Sequence, residues 1–172
     1  MRGARVAFMA CAALFLSGCN GVTHYSPAPA ALQEKVDCRA GTFEPSPLVT
    51  PPPSVVDAMG SVPQGFVPVD VVKCEPGGSG IIPPGTKVVE RHLSGSYGPL
   101  LAALAETSDH QDGGVCPAMG VLIPDLWLVN ADGKAIHVRW PTDYCGFPKP
   151  GVEKALDALT VSSTRTLTAV AP

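Results

Sequence analysis

The residue whose type and position most clearly indicate a chemical reaction lies near the start of the chain, where the thiol of Cys19 follows two small residues. Two arginines precede an apolar run over residues 6–16. A basic start, a short apolar run and small residues before a cleavage point are the parts of an export signal. A transmembrane helix needs about 20 apolar residues, so this run is too short to span a bilayer. The sequence therefore predicts a signal peptide over residues 1–18, cleaved just before a nucleophilic thiol.

The four residues Leu16-Ser17-Gly18-Cys19 resemble the lipobox of bacterial lipoproteins. The resemblance implies that diacylglycerol alkylates the Cys19 thiol and that Cys19 becomes the first mature residue, carrying acyl chains such as palmitate. Two acyl chains hold a protein stably at a membrane, because each buried methylene contributes about 0.8 kcal/mol. The expected location is the cell membrane, lipid-anchored and facing outside the cytoplasm. An ordinary secretory signal is the alternative, and only the cysteine after Gly18 separates the two.

The length and charge of the mature chain limit the classes of partner that it can bind. Removal of residues 1–18 from the 172 leaves 154, enough for one domain with a core. The signal contains two of the 12 basic residues, so 10 remain against 15 acidic residues, a net charge of −5 with neutral histidines. The absence of a basic run argues against nucleic acid. The expected partners are the membrane, through the acyl chains on Cys19, and an envelope protein or the cell wall.

Four cysteines remain beyond the signal and the lipidation site, and their pattern is that of disulfides. They are Cys38, Cys74, Cys116 and Cys145. An even number in an oxidising compartment predicts two disulfides with three possible connectivities. We favour Cys116 with Cys145 and Cys38 with Cys74, because each pair closes a local loop. A four-thiolate zinc site is the alternative, but it usually needs paired Cys-x-x-Cys ligands.

Two polar loops imitate ligand-binding motifs. Residues 80–87 nearly spell a phosphate-binding loop, but Thr86 and Lys87 are reversed and open a strand, so a hairpin loop is predicted. Residues 109–114 offer two carboxylates and an imidazole to a cation. Their spacing does not match a calcium loop, which favours a solvated turn.

The histidines and serines form no catalytic pattern along the chain. His24 lies in a proline-rich segment, His92 lies on a predicted strand, and His137 falls among polar positions that should face solvent. The serines considered as nucleophiles are Ser79, Ser94 and Ser96. They lack the strand–Gly-x-Ser-x-Gly–helix setting of hydrolases. A non-enzymatic protein without cofactor or metal is therefore expected.

The elements that must position these residues follow an irregular segment. Eight prolines between residues 20 and 65 disfavour helices and central strands. This pattern predicts a lipidated, proline-rich stalk over residues 19–65. An ordered arm packed over the domain is the alternative, and a bond from Cys38 to the domain would tie the following segment down.

A disulfide-stabilised globular domain is predicted over residues 66–172. Strands are expected at 67–74, 87–93, 126–129, 134–140 and 161–170, with helices at 99–106 and 150–159. Asp132-Gly133 tolerates positive φ and predicts a hairpin turn. The ββα-ββα-β order predicts an α+β two-layer domain, mainly an antiparallel sheet with two short helices on one face. An internal duplication of the ββα unit is a further alternative.

Two tryptophans lie on adjacent strands of the predicted hairpin. Trp127 and Trp140 are expected to pack in the core. If Trp127 instead faced outward, it would mark a binding surface.

The C-terminal half resembles uncharacterised secreted and lipid-anchored proteins of high-GC Gram-positive bacteria. The resemblance rests on Leu126–Gly133, Trp140–Asp143 and Cys145-Gly146; it implies an envelope location and carries no catalytic assignment. The leading hypothesis is a non-enzymatic envelope lipoprotein whose domain binds a protein or cell-wall partner. The alternatives are a small-molecule-binding or sensory lipoprotein with an apolar pocket, and a secreted hydrolase built from distant residues.

Overall fold

Most of the regular structure is antiparallel β-sheet, and two helices accompany it, so the chain has an α+β fold. The computed structural model describes residues 23–39, 59–76, 85–110, 115–119 and 121–169. Its elements are β1 (His24–Tyr25), β2 (Leu32–Gln33), β3 (Met59–Gly60), β4 (Pro68–Glu75), β5 (Lys87–Ser94), α1 (Gly98–Leu104), β6 (Ser108–Asp109), β7 (Asp125–Asn130), β8 (Ala135–Val138), α2 (Pro150–Asp157) and β9 (Thr160–Thr168). The predicted signal peptide and Cys19 lie outside the described residues.

The main sheet has the strand order β2-β8-β7-β4-β5-β9, and β3 pairs with β8 beside β2. Every pairing is antiparallel except that of β3 with β8. Strand β4 lies near the middle, and its consecutive residues Val71 and Val72 are both fully buried. Because successive side chains of a strand point to opposite faces, both faces of the sheet are covered at its centre.

The hairpin between β7 and β8 follows from its turn residues. Gly133 has a φ of +75°, a conformation that glycine adopts without steric cost. The Asn130 side-chain oxygen accepts hydrogen bonds from the amides of Asp132 and Lys134 at 3.1 and 2.9 Å. The predicted hairpin is confirmed.

Both helices begin with a proline in the first turn, where a missing amide donor carries no penalty. They contact each other closely. A Cβ built on Gly151 of α2 would lie 3.2 Å from the Cβ of Ala103 in α1. This small residue therefore permits the close approach of the two helices.

The buried apolar side chains form two clusters. The larger one joins all buried helix residues to alternate residues of the central strands, Val71, Leu126 and Leu128 among them. The smaller one contains the residues between them, such as Val72 and Trp127, together with Cys38 and Ala169. Chain segments from both ends of the domain thus complete the smaller cluster.

Residues 23–39, here called the strap, are folded onto this domain. Strand β1 pairs with β6, and β2 pairs with β8. Ala30 is buried, and its amide donates to the Ser61 carbonyl at 2.8 Å. These residues follow the ordered-arm alternative, and the expectation of a stalk is wrong for them. Residues 59–65 also join the folded unit through β3, so the folded part begins before residue 66.

Candidate functional site

The structure contains two disulfides, and each fastens a peripheral segment to the sheet or its loops. Cys38 of the strap is bonded to Cys74 of β4, with Cα atoms 5.5 Å apart. Cys116 is bonded to Cys145, with Cα atoms 5.4 Å apart. These are the pairs favoured from the sequence on loop locality. Four thiols engaged in this way are not free to form a four-thiolate zinc site.

The first residues of the strap contact strand β6 and the residue that follows it. The His110 amide donates to the Thr23 carbonyl at 2.8 Å, and the rings of Tyr25 and His110 are 4.7 Å apart. Asp109 lies 2.8 Å from His24 and 3.0 Å from Lys149. Its hydrogen bond from Lys149, followed by that from His24, lowers the pKa of Asp109 despite an opposing effect of burial. The chain therefore enters the fold through a short strand held by a charged cluster.

A second loop is joined to β6. The Asp109 amide donates to the Thr142 carbonyl at 2.9 Å, and the Thr142 amide donates to the Ser108 hydroxyl at 3.1 Å. Asp143 closes the loop by accepting the Cys145 amide at 2.9 Å. Through its disulfide, Cys145 brings residues 115–119 to this loop. We call the region formed by Thr23, β6, residues 142–148 and residues 115–119 the anchor end.

The anchor end and the chain that leaves it expose apolar side chains. They are Val115 (97% exposed), Met119 (65%), Val121 (41%), Leu122 (79%) and Tyr144 (46%). The run from residue 115 to residue 124 contains no charged side chain. These five side chains are here called the apolar end surface. Sequence reasoning missed it, although the uncharged run was visible in the sequence.

A charged cluster lies on the sheet between β4, β5 and β9. Glu90 is only 1% exposed and accepts hydrogen bonds from Arg165 at 2.6 and 2.9 Å. His92 lies 3.0 Å from Glu90 through Nε2 and 2.6 Å from Asp70 through Nδ1. Burial lowers the pKa of His92, but its hydrogen bonds to Asp70 and Glu90 outweigh that effect and raise it. The sequence signal was the spacing of Glu90 and His92, which places both on one face of β5.

The geometry of this cluster is that of an ion pair network and not of a catalytic base. Both nitrogens of His92 face carboxylates, an arrangement that favours the doubly protonated imidazole and leaves neither nitrogen free. A general base needs a nitrogen lone pair directed at a substrate proton. The cluster therefore stabilises the buried carboxylate of Glu90.

His137 departs from its predicted exposure. It is 4% exposed, and its ring stacks on Trp127 with a centroid distance of 4.3 Å and an interplanar angle of 7°. Its Nε2 lies 3.5 Å from Asp125. The alternation of β8 correctly placed Ile136 and Val138 in the core, but the opposite face is also covered, which the alternation did not reveal. Trp127 is 3% exposed, so its predicted core packing is confirmed.

A shallow groove of about 100 Å³ lies beside α2. Lys73, Trp140, Glu153 and Leu122 are among its lining residues. No hydrogen-bond acceptor among the described residues reaches the buried Trp140 Nε1. Pockets that bind small organic ligands usually measure about 300–1,000 Å³, so this groove fits only part of such a ligand.

The structure describes parts of the two loops that resemble ligand-binding motifs, residues 80–87 and 109–114. Lys87 begins β5 and donates to Thr168 at 2.8 Å, as an element of the sheet. Asp109 is engaged with the strap and Lys149. Residues 77–84, with Ser79, and residues 111–114 lie outside the described residues. Ser94 ends β5 and donates to the Thr160 carbonyl at 3.3 Å, and Ser96 lies in the segment between β5 and α1.

Within the described ranges, no three His, Cys, Asp or Glu side chains come together as a candidate metal site. No helix in that part of the chain is long and apolar enough to cross a bilayer.

Comparison with known proteins yields no relative: no family model, no curated protein and no solved structure matches this chain.

Proposed function

We propose that this protein is a lipid-anchored, extracytoplasmic lipoprotein of the cell envelope, whose domain is a non-enzymatic binding module. The observation that carries the proposal is the Leu16–Cys19 motif directly upstream of the strap. The two disulfides support it, since such bonds persist in oxidising compartments. Membrane attachment then occurs through acyl chains on Cys19, and an envelope protein or the cell wall is the partner.

The chemistry of the described polar groups favours binding over hydrolysis. His92, the most strongly engaged histidine, has a carboxylate at each ring nitrogen. It offers no lone pair that would activate a hydroxyl. The groove beside α2 is small for a metabolite, so it does not support a small-ligand site there, and we propose a macromolecular partner.

We further propose that the domain has two layers and that its main elements follow the order ββα-ββα-β along the chain. The long strands β4 and β5 precede α1, β7 and β8 precede α2, and β9 comes last. All buried helix residues belong to a single cluster, which supports placing both helices on one face. The strap and Ala169 then cover the other face.

Mass spectrometry of the mature protein tests the anchor. The full chain, expressed in a bacterium that processes lipoproteins, should lose residues 1–18, gain a diacylglycerol group at Cys19 and enter the membrane fraction. Cys19→Ala should leave an unlipidated and poorly processed precursor. A mature mass and membrane fraction that are unchanged in Cys19→Ala would contradict the proposal.

Crosslinking on intact cells tests the binding module. Val69 is 55% exposed near the start of β4, and Asp132 is exposed in the β7–β8 turn. A photo-crosslinking residue at position 69 should give a discrete adduct with one envelope component, whereas the same residue at position 132 serves as control. Equal, diffuse labelling from both positions would count against a specific partner that binds near position 69.

A further inference from the structure

The route of the strap determines how far the domain can lie from its lipid. The Thr23 carbonyl accepts a hydrogen bond from the His110 amide, and Cys19 precedes Thr23 by only four residues. A fully extended chain spans about 3.3–3.6 Å per residue, so the two Cα atoms are separated by at most about 14 Å. An anchor on Cys19 therefore holds the anchor end within a short distance of the membrane surface.

The loops that carry the apolar end surface are connected to Thr23. Thr23 is hydrogen-bonded to His110, next to β6, and Asp109 of β6 is hydrogen-bonded to Thr142. The loop that contains Thr142 is joined by the Cys145–Cys116 disulfide to the segment that contains Val115. Leu122 and Val115 are the most exposed of its side chains. Thr23, four residues after the proposed attachment point, is thus linked by short contacts to the loops that carry Tyr144 and Val115.

We propose that the apolar end surface rests on the outer face of the bilayer, with Met119 and Leu122 entering the boundary between headgroups and acyl chains. This inference depends on the lipid anchor proposed above. Apolar side chains bind at that depth through the hydrophobic effect. Charge offers no alternative attraction, because the mature chain is net negative and an anionic surface would repel it.

The consequence is a domain that lies flush with the membrane and presents its far side to the envelope. The strap acts as a clamp and not as a spacer. Its strands β1 and β2 and the Cys38–Cys74 bond all fasten it to the domain. An envelope partner must then approach the surfaces remote from the anchor end.

Fluorescence quenching by lipids tests this orientation on the intact lipidated protein. Purified mature protein carrying Leu122→Trp is bound to vesicles of phosphatidylglycerol and phosphatidylcholine with brominated acyl chains. Val161→Trp on β9 is the matched control, because Val161 is 50% exposed and lies on the last strand of the sheet. The native signal of Trp127 and Trp140, both buried, is subtracted using the wild-type protein.

The Leu122→Trp signal should fall about twofold in brominated vesicles, because interfacial side chains reach about 5–10 Å into the acyl boundary. The Val161→Trp signal should remain unchanged. Met119→Asp in the Leu122→Trp background should remove most of the quenching, whereas Val69→Asp should leave it intact. Near-ultraviolet circular dichroism confirms that each variant is folded.

Three results would overturn the inference. Equal quenching at positions 122 and 161 would show that the domain has no preferred face towards the lipid. Quenching that survives Met119→Asp would show proximity without apolar contact. A wild-type protein that carries no lipid and stays off the vesicles would overturn the anchor itself, and the orientation with it; the mass spectrum distinguishes this case from the other two.

Discussion

At the scale of single residues, Glu90 is the most deeply buried acidic side chain in the described part of the chain. Its carboxylate is 1% exposed and lies within hydrogen-bond distance of Arg165 and His92, and a buried charge is costly unless it is paired in this way. Glu90→Gln keeps the volume and removes the charge. We expect it to lower the free energy of unfolding by about 1.5–3 kcal/mol, the range for hydrogen bonds to charged groups, measured by urea denaturation.

Glu75→Gln is the matched control for that prediction. Glu75 also contacts two cations, Lys73 and Arg91, but it is about one third exposed. Exposed ion pairs contribute about 0–1 kcal/mol. If Glu75→Gln and Glu90→Gln lowered the free energy of unfolding equally, burial would not determine how much the contacts of Glu90 contribute to stability.

The charge of His92 makes stability depend on pH. Its pKa in the folded protein is raised above the ordinary value of 6.5, because hydrogen bonds to Asp70 and Glu90 outweigh burial. A raised pKa stabilises the fold fully below the unfolded value, and this contribution is lost as pH rises through the folded value. The stability difference between the wild type and His92→Gln should therefore shrink from about pH 5.5 to pH 9. A difference that grows over this range would contradict the assigned contacts.

Single residues also show where sequence reasoning ends. The alternation of β8 predicted that Ile136 and Val138 are buried, and they are. The same alternation predicted a solvent-facing His137, which is buried against Trp127. Alternation distinguishes the faces of a strand but does not say whether a distant segment covers the polar face. That information lies in tertiary contacts such as the Cys38–Cys74 bond.

At the scale of elements, the contact between the strap and β3 depends on a missing side chain. A Cβ built on Gly60 would lie 2.1 Å from the Ala28 carbonyl oxygen and 2.6 Å from the Ala30 amide nitrogen. Backbone atoms cannot rotate away, so Gly60→Ala must displace the strap. We expect a loss of about 1–3 kcal/mol, typical of overpacking, with faster proteolysis of the strap.

Gly98→Ala provides the control for that substitution. The nearest atom to a Cβ at Gly98 is the Ser96 hydroxyl, 3.9 Å away. Its effect should stay within about 0.5 kcal/mol. A Gly60→Ala protein as stable and as protease-resistant as Gly98→Ala would show that the strap does not pack on β3 as described.

We expect the two disulfides to stabilise the fold to different extents, because their surroundings differ. They close loops of similar length, with separations of 36 and 29 residues, so each restricts the unfolded chain by about 3–4 kcal/mol. Cys38 and Cys74 are also buried in a cluster. Cys38→Ala with Cys74→Ala should therefore cost more than Cys116→Ala with Cys145→Ala, measured as the difference in thermal midpoints. The reverse order would contradict the burial argument.

The elements that the sequence revealed are those with a local signal. The β7–β8 hairpin follows from its turn at Asp132-Gly133 and the apolar alternation on either side. The strap carries no such signal, because its two-residue strands are too short for alternation and its prolines suggest irregular chain. Only its partners β6 and β8 give it regular structure.

At the scale of the whole molecule, the folding unit includes the strap. A chain that begins at residue 66 would lack β1, β2 and β3, so the outer edge of β8 would lose both of its partners. Cys74 would remain as an unpaired thiol in the sheet. An uncovered edge strand presents unpaired amides and carbonyls that promote association between chains.

We therefore expect the chain that begins at residue 66 to unfold without cooperativity and to aggregate, whereas the chain that begins at residue 20 unfolds in one transition. Urea denaturation followed by tryptophan fluorescence tests this directly, because Trp127 lies in the cluster that Cys38 completes. Size-exclusion chromatography reports the aggregation. A shorter chain that is monomeric and has the same denaturation midpoint would show that the strap is an accessory. If the prediction holds, the strap belongs to the core of the fold, and a domain anchored through Cys19 as proposed above could move away from the membrane only by losing the contacts of the strap.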